Sequence, residues 1–328
     1  MEVSGRTAAA LLDEVATGRI DGERARLTPL PTGFDPLDKV LGGGLRAQDL
    51  AVLGGRPGVG KTVAALQWAR HLAQQGHTAI YVCYEHSELT LLGRLLALEL
   101  GTLARPDEVP ALDRLRALAR DLVLGAPTLG ELAATPLGEE AYGRLAAYAE
   151  RLWLVRASGA TTGPRELEVL VDRHARDGTV LFVDYLQKVA VSPDVPDDER
   201  VTRVAETLKE LAMSRSVAVV GIAAADRPGL TSRRLRLHQL RGSAGLAHEA
   251  DVVIVLNEKW GAVAKAHLSF NPVRAETFRH FVVFSIEKNR DGPAPMDLEF
   301  RKDFESYRFE PAGGFVGETL VDDVLFEE

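Results

Sequence analysis

The chain has 328 residues, 46% hydrophobic and 26% charged, the balance of a soluble globular protein that is long for one ordinary domain and short for two. Its 39 Lys and Arg against 47 Asp and Glu leave a formal charge of −8, which excludes a general polyanion binder and confines any nucleic-acid contact to a local basic patch. One cysteine, Cys83, excludes an intramolecular disulfide and a Cys-rich zinc site, and no apolar run reaches the ~18–20 residues that span a bilayer.

In chain order, residues 6–18 predict a short helix, with Ala8, Leu11, Leu12 and Val15 at helical spacing and Gly18 ending it. The N-terminal residues have no signal-peptide core, so a cytoplasmic protein with no membrane partner is expected. Residues 19–31 are charged and then Pro-rich, which is linker chemistry. From Thr32 onward short apolar runs alternate with helical stretches, the pattern of an α/β fold with a mostly parallel sheet and flanking crossover helices. Strands are expected at 50–53, 79–84, 152–155, 180–184, 217–222 and 252–256. Helices are expected at 61–75, 88–100, 108–122, 136–151, 164–176 and 199–215. Segment 101–150 reads as an inserted helical elaboration. Residues 281–286, 296–300 and 307–310 predict a small antiparallel meander. The last residues, 313–328, hold five acidic groups and read as a solvated tail.

Residues 55–62, GRPGVGKT, carry the pattern G-x-x-x-x-G-K-[ST] between a predicted strand and a predicted helix. Gly55, Arg56, Pro57, Gly58, Val59, Gly60, Lys61 and Thr62 thus form a phosphate-binding loop. The glycines let backbone N–H groups close on phosphate oxygens, Lys61 reaches the β- and γ-phosphates, and the Thr62 hydroxyl ligates Mg²⁺. Asp184 ends the apolar run VLFVD at the carboxyl edge of the sheet, the place for a second carboxylate acting on the metal through water. Glu85 ends a strand expected to lie beside the phosphate-loop strand. On position alone it fits two roles equally well: orienting the attacking water, or sitting as an acidic neighbour of a helix start at Ser87. Residues 226–245 hold Arg227, Arg233, Arg234, Arg236 and Arg241 with one acid, a basic island in an acidic chain. A solvated or intersubunit face explains such an island nearly as well as a nucleic-acid surface.

The segments PTGFDPLDKVLGGGL, GRPGVGKT, YEHSELTLLGRLLALE, FVDYLQKV, ETLKELA, LRGSAGLAHEADVVIVL and EKNRDGP, in that order, resemble the C-terminal motor domain of DnaB-type replicative helicases. The resemblance runs from about Thr28 to Glu310. It implies a RecA-like P-loop NTPase that uses ATP and Mg²⁺, assembled as a homo-oligomeric ring, six-membered in the family, that moves on single-stranded DNA. It makes Glu85 the catalytic glutamate, Arg290 an arginine finger acting on the neighbouring subunit's γ-phosphate, and Lys288 its support, although on sequence chemistry alone the last two read as a charged strand end. It assigns Arg241, Gly242 and Ser243 to a channel loop that follows DNA; Arg233, Arg234 and Arg236 are candidates for the same surface from the basic composition of 226–245. Domain boundaries follow: a linker helix and linker over 1–28, the motor over 29–312 and an acidic tail over 313–328. The family's N-terminal collar domain has no counterpart in these residues. The helix or the tail is the expected contact for a replication or loader protein. Ala224 stands where the family has a Gln that relays nucleotide state, which leaves open a regulatory or assembly ATPase without unwinding activity. A nucleotide-binding adaptor without catalysis is the third reading, and the intact Lys61, Thr62, Glu85, Asp184 and Arg290 weigh against it.

Overall fold

A computed structural model describes residues 5–18, 27–104, 109–121, 129–192, 194–196, 199–264, 267 and 272–321. Its centre is a ten-stranded sheet built from β1 (Leu50–Gly55), β2 (Ala79–Cys83), β3 (Leu152–Arg156), β4 (Val180–Asp184), β5 (Ala218–Ala224), β6 (Val252–Glu258), β7 (Phe281–Asn289), β8 (Met296–Asp303), β9 (Arg308–Phe309) and β10 (Gly314–Phe315). The order is β10-β8-β7-β6-β1-β5-β4-β2-β3, with β9 on β8. β6, β1, β5, β4, β2 and β3 run parallel, and β7, β8 and β10 add the antiparallel end.

The helices are α1 (Ala8–Ala16), α2 (Lys61–Gln74), α3 (Glu88–Leu103), α4 (Val109–Asp121), α5 (Pro136–Tyr148), α6 (Pro164–His174), α7 (Arg200–Arg215) and α8 (Ser243–Glu249), with shorter turns between them. Alternation along the strands divides the core in two, because successive side chains point to opposite faces. Ala51, Leu53, Tyr81, Cys83, Val180 and Phe182 pack with α2, α3 and α5 on one face. Leu50, Val52, Ile80, Val82, Leu181 and Val183 pack with α6 and α7 on the other. A strand covered on both sides must be apolar throughout, which is why VLFVD reads as it does.

One polar link inside this core is strong. Arg70 of α2 makes two bonds to Glu99 of α3, at 2.7 and 2.6 Å, and Tyr148 of α5 donates to the same carboxylate at 2.9 Å. Glu99 is fully buried, so removing Arg70 would strand a charge at a cost of roughly 3–5 kcal/mol.

Two expectations need correction. β2 does not lie beside β1, because β5 and β4 stand between them and β2 pairs with β4 and β3. The segment after Gly313 is stitched to the body as far as it is described: β10 pairs with β8, Leu320 bridges Val263, and Glu318 lies 2.7 Å from the buried Lys259. Residues 322–328, the acidic end of the tail, lie outside the described residues, as does most of the linker at 19–26. Helix α1 forms with Thr7 as its N-cap, and none of its residues is buried; Leu12 and Val15 are 70% and 57% exposed.

Candidate nucleotide site and nucleic-acid face

The carboxyl edge of the parallel strands holds the nucleotide site. β1 ends at Gly55 and α2 begins at Lys61, so the phosphate loop sits between a buried strand and a helix N-terminus. Gly58 and Gly60 take φ of 80° and 99°, which L side chains resist, and a Cβ on Gly60 would lie 2.6 Å from the Phe304 ring. A cleft of about 400 Å³ is lined by Pro57, Gly58, Gly60, Lys61, Thr62, Val63, Glu85, His86, Arg94, Asp184, Tyr185, Ala224, Phe304 and Tyr307.

Lys61 Nζ donates to the Arg56 carbonyl at 2.8 Å. Burial lowers its pKa to about 8, against the raising influence of Asp184 and Glu85. The Thr62 hydroxyl donates to Asp184 Oδ2 at 2.8 Å, and the Tyr81 hydroxyl donates to the same oxygen at 2.9 Å. Burial raises the Asp184 carboxyl above its ordinary value, with those two hydrogen bonds opposing it. The donor set fits a hard divalent ion: one hydroxyl and one carboxylate, with the remaining positions left to phosphate oxygens and water. Among the described residues no cluster of three His, Cys, Asp or Glu forms an all-protein metal cage.

Glu85 reaches this cleft although its strand is not next to β1. Cys83 of β2 pairs with Asp184 of β4, so the two strand ends deliver Glu85 and Asp184 side by side. Ser87 caps α3 by accepting from Thr90 N–H at 3.2 Å, so Glu85 stands two residues before a capped helix start as well as at the cleft. Two loop residues point elsewhere. Arg56 donates to the Gly229 carbonyl at 2.8 Å and to the Ser232 hydroxyl at 2.8 Å, tying the loop to the segment that follows β5. The Val59 side chain is buried in the core, and neither Arg56, Val59 nor Gly55 lines the cleft.

The opposite edge holds the other cationic pair. β7 runs antiparallel to β6 with Asn289 against Val252, so residues after β7 emerge at the amino ends of the parallel strands. Arg290 pairs with Asp251 at 2.9 Å and is 54% exposed. Asp251 also accepts from Leu50 N–H at 2.8 Å and from Lys209 at 2.6 Å, which fixes this carboxylate at the start of β1. Lys288 donates to the Ala247 carbonyl at 2.7 Å near the end of α8, and burial lowers its pKa, with Arg290 adding to the effect. The length of β1, roughly 17 Å at 3.3 Å per residue, separates Arg290 from the phosphate loop of the same chain.

The basic stretch divides. Arg234 is 4% exposed and bonds Asp297 at 2.6 Å and Ser285 at 3.2 Å; it belongs to the interior, and its expected place on a nucleic-acid surface is wrong. Arg236 pairs with Glu287 at 2.9 Å, and Arg233 donates to the Val263 carbonyl at 2.9 Å. Arg241 is exposed. With Gly242 and Ser243 it lines an open depression of about 500 Å³ together with Thr202, Asp226, Leu240 and Ala244.

The sequence patterns missed what connects this depression to the cleft. Ala224 N–H donates to Gln187 Oε1 at 3.2 Å, and Gln187 Nε2 donates to the Arg241 carbonyl at 3.4 Å. The Arg241 N–H in turn donates to the Ala224 carbonyl at 3.0 Å. Ala224 lines the nucleotide cleft, so Gln187 of the DYLQ run spans from that cleft to the basic loop. Tyr185, one residue past Asp184, also faces the cleft; burial and the neighbouring Glu85 raise its pKa.

A six-stranded parallel core with a phosphate loop at its carboxyl edge, a metal-directed Thr and Asp and a nearby glutamate define a RecA-like P-loop nucleotide-binding domain. The DnaB-like helicase C terminal domain family matches residues 29–105 and 152–309, and the chain belongs to that family. It is 27% identical over 286 residues to the replicative DNA helicase DnaB of Treponema pallidum, covering 86% of this chain and 56% of that protein. It is 33% identical over 189 residues to the DNA repair protein RadA of Mycobacterium tuberculosis, covering 51% of this chain and 39% of that protein. The chain thus spans about half the length of the curated relatives it matches. The fold matches a solved ATPase domain with a TM-score of 0.70 at 18% identity, over 94% of this chain and 99% of that one. It also matches a DnaB-like replicative helicase studied with primase, with a TM-score of 0.68 at 19% identity, over 94% of this chain and 67% of that one. Among the described residues no helix is long and apolar enough to cross a membrane.

Proposed function

We propose that this chain is an ATP-driven motor that moves on single-stranded DNA, hydrolysing MgATP at the interfaces between copies of itself in a ring. What carries the reading is the split of the cationic groups. Lys61 lies at the cleft with Thr62, Asp184 and Glu85, while Arg290 lies at the far edge of the same sheet.

In this reading the loop N–H groups and Lys61 hold the β- and γ-phosphates. Thr62 and Asp184 would hold Mg²⁺, which would supply positive charge against the phosphate oxygens. Glu85 orients the attacking water and takes its proton. Arg290 of one copy meets the γ-phosphate held by the next, so hydrolysis depends on assembly. The exposed helix α1 docks its apolar stripe on a neighbouring copy. Arg241, Gly242 and Ser243 contact the DNA backbone through charge and backbone N–H groups, without reading sequence. Gln187 passes the state of the cleft to that loop, along a route other than the glutamine that Ala224 replaces.

The test is steady-state ATP hydrolysis with and without a single-stranded oligonucleotide. Lys61→Ala should abolish turnover, and Arg241→Ala should abolish the stimulation by DNA. Robust turnover indifferent to DNA contradicts the translocase reading and leaves a regulatory ATPase. An oligomeric preparation without any turnover leaves a nucleotide-binding adaptor.

A further inference from the structure

One wall of the cleft is aromatic and is fastened from outside the family's matched segments. The Phe304 ring lies on Gly60 of the phosphate loop and meets Phe309 edge-on at 5.4 Å. Tyr307 lies beside it, with the Arg94 guanidinium 5.2 Å from its ring centroid. Both rings line the cleft together with Val63, which follows the phosphate-binding residues. A ligand whose phosphates sit on the loop therefore presents its non-phosphate end to this wall. Two rings with no acid between them at the cleft fit a flat nucleobase, and stacking on such a surface is worth about tenfold in affinity.

Phe304 opens the turn Phe304–Ser306 and Tyr307 follows it, and Arg116 of α4 holds that turn. The Arg116 side chain is 8% exposed. It bonds Glu305 at 3.2 Å, both Asp303 oxygens at 3.5 Å, the Ser306 hydroxyl, and Asp113 of its own helix at 3.1 Å. Asp303 also accepts from Ser306 N–H at 3.3 Å, closing the turn on itself. Without the guanidinium, Asp303 and Glu305 would repel across the turn, and the fully buried Ser306 would lose a partner. Helix α4 falls between the two matched segments, 29–105 and 152–309.

We propose that Arg116 is a positioning residue that holds Phe304 and Tyr307 as a nucleobase platform, so that the inserted helix sets how strongly the site binds the base. The inference rests on the reading of the cleft as a nucleoside triphosphate site. The experiment titrates the full chain by calorimetry with ATP and with inorganic tripolyphosphate, which offers phosphates and no base, and measures KM and kcat for ATP. The wild type should bind ATP about tenfold tighter than tripolyphosphate. Arg116→Met should lose most of that preference: ATP affinity falls and KM rises about tenfold, tripolyphosphate affinity holds, and kcat at saturation holds. Arg116→Lys, which keeps the charge but not the fork, should fall between.

Should Arg116→Met fail to fold, Glu305→Arg serves instead. Glu305 is 81% exposed, and a second cation there pries at the same clamp. The same selective loss for ATP is expected. Equal losses for both ligands, or no loss for either, in a folded variant overturn the proposal. A wild-type chain that binds tripolyphosphate and ATP equally refutes the base platform but not the phosphate site. One that binds neither refutes the nucleotide reading and this inference with it.

Discussion

The two edges of the sheet are built to different standards of completeness. At the carboxyl edge Lys61, Thr62, Glu85 and Asp184 come together within one chain: Thr62 touches Asp184, and Lys61 and Glu85 share their cleft. At the amino edge Arg290 is half in solvent, paired with an aspartate whose other partners are structural. A strand length separates it from the phosphates that a finger would serve. In the reading proposed above, one edge is a site, while the other is half of a site that a second copy completes.

The widest gap between the edges should appear in Arg290→Ala. Turnover should fall roughly 10³–10⁵-fold. Nucleotide affinity measured by calorimetry should hold, because the carboxyl edge is untouched. Undiminished turnover breaks the comparison. Asp184→Asn probes the complete edge: the Mg²⁺ concentration for half-maximal hydrolysis should rise about 10–100-fold, as when a metal site loses a supporting carboxylate. An unchanged metal requirement would remove Asp184 from the site. Gln187→Ala tests the link from the cleft to the basic loop. Stimulation by single-stranded DNA should fall several-fold, because the two hydrogen bonds that span Ala224 and Arg241 are lost. Retained stimulation would show that coupling runs elsewhere.

The smallest effect lies near the amino edge. Burial raises the Glu287 carboxyl above its ordinary 4.5, against Arg236 and Arg234. A carboxyl whose folded pKa is raised takes up its proton before the unfolded chain does. The stability of the wild type relative to Glu287→Gln should therefore grow as pH falls towards 4.5 and level off below it. The slope stays under about 1.4 kcal/mol per pH unit. Thermal melting between about pH 4 and 8 checks the sign, and a difference that shrinks on acidification contradicts it.

Much of the carboxyl edge was legible in the sequence, because its parts are local. A strand, a glycine-rich turn and a helix start are contiguous in GRPGVGKT, and VLFVD carries both the burial of its strand and the acid at its end. Register across strands was not legible. No local signal says that β2 pairs with β4 rather than β1, yet that pairing is what brings Glu85 beside Asp184. Composition misled at 226–245, where one run of arginines divides between interior and surface. Arg234 and Arg236 are spoken for by Asp297 and Glu287, acids far along the chain that composition counts elsewhere. The aromatic wall of the cleft was invisible for the same reason. Phe304 and Tyr307 come from the meander, and the arginine that holds them comes from the inserted helix.

The central claim, that catalysis is shared between the edge of one copy and the opposite edge of the next, has a direct test in mixed oligomers. Lys61→Ala removes the phosphate site and keeps the finger; Arg290→Ala does the reverse. Each variant alone should be inactive. Mixing the two, under conditions that let subunits exchange, should restore hydrolysis at interfaces that pair an intact Lys61 with an intact Arg290 from different copies. No recovery from mixed oligomers shown to contain both variants would contradict the account.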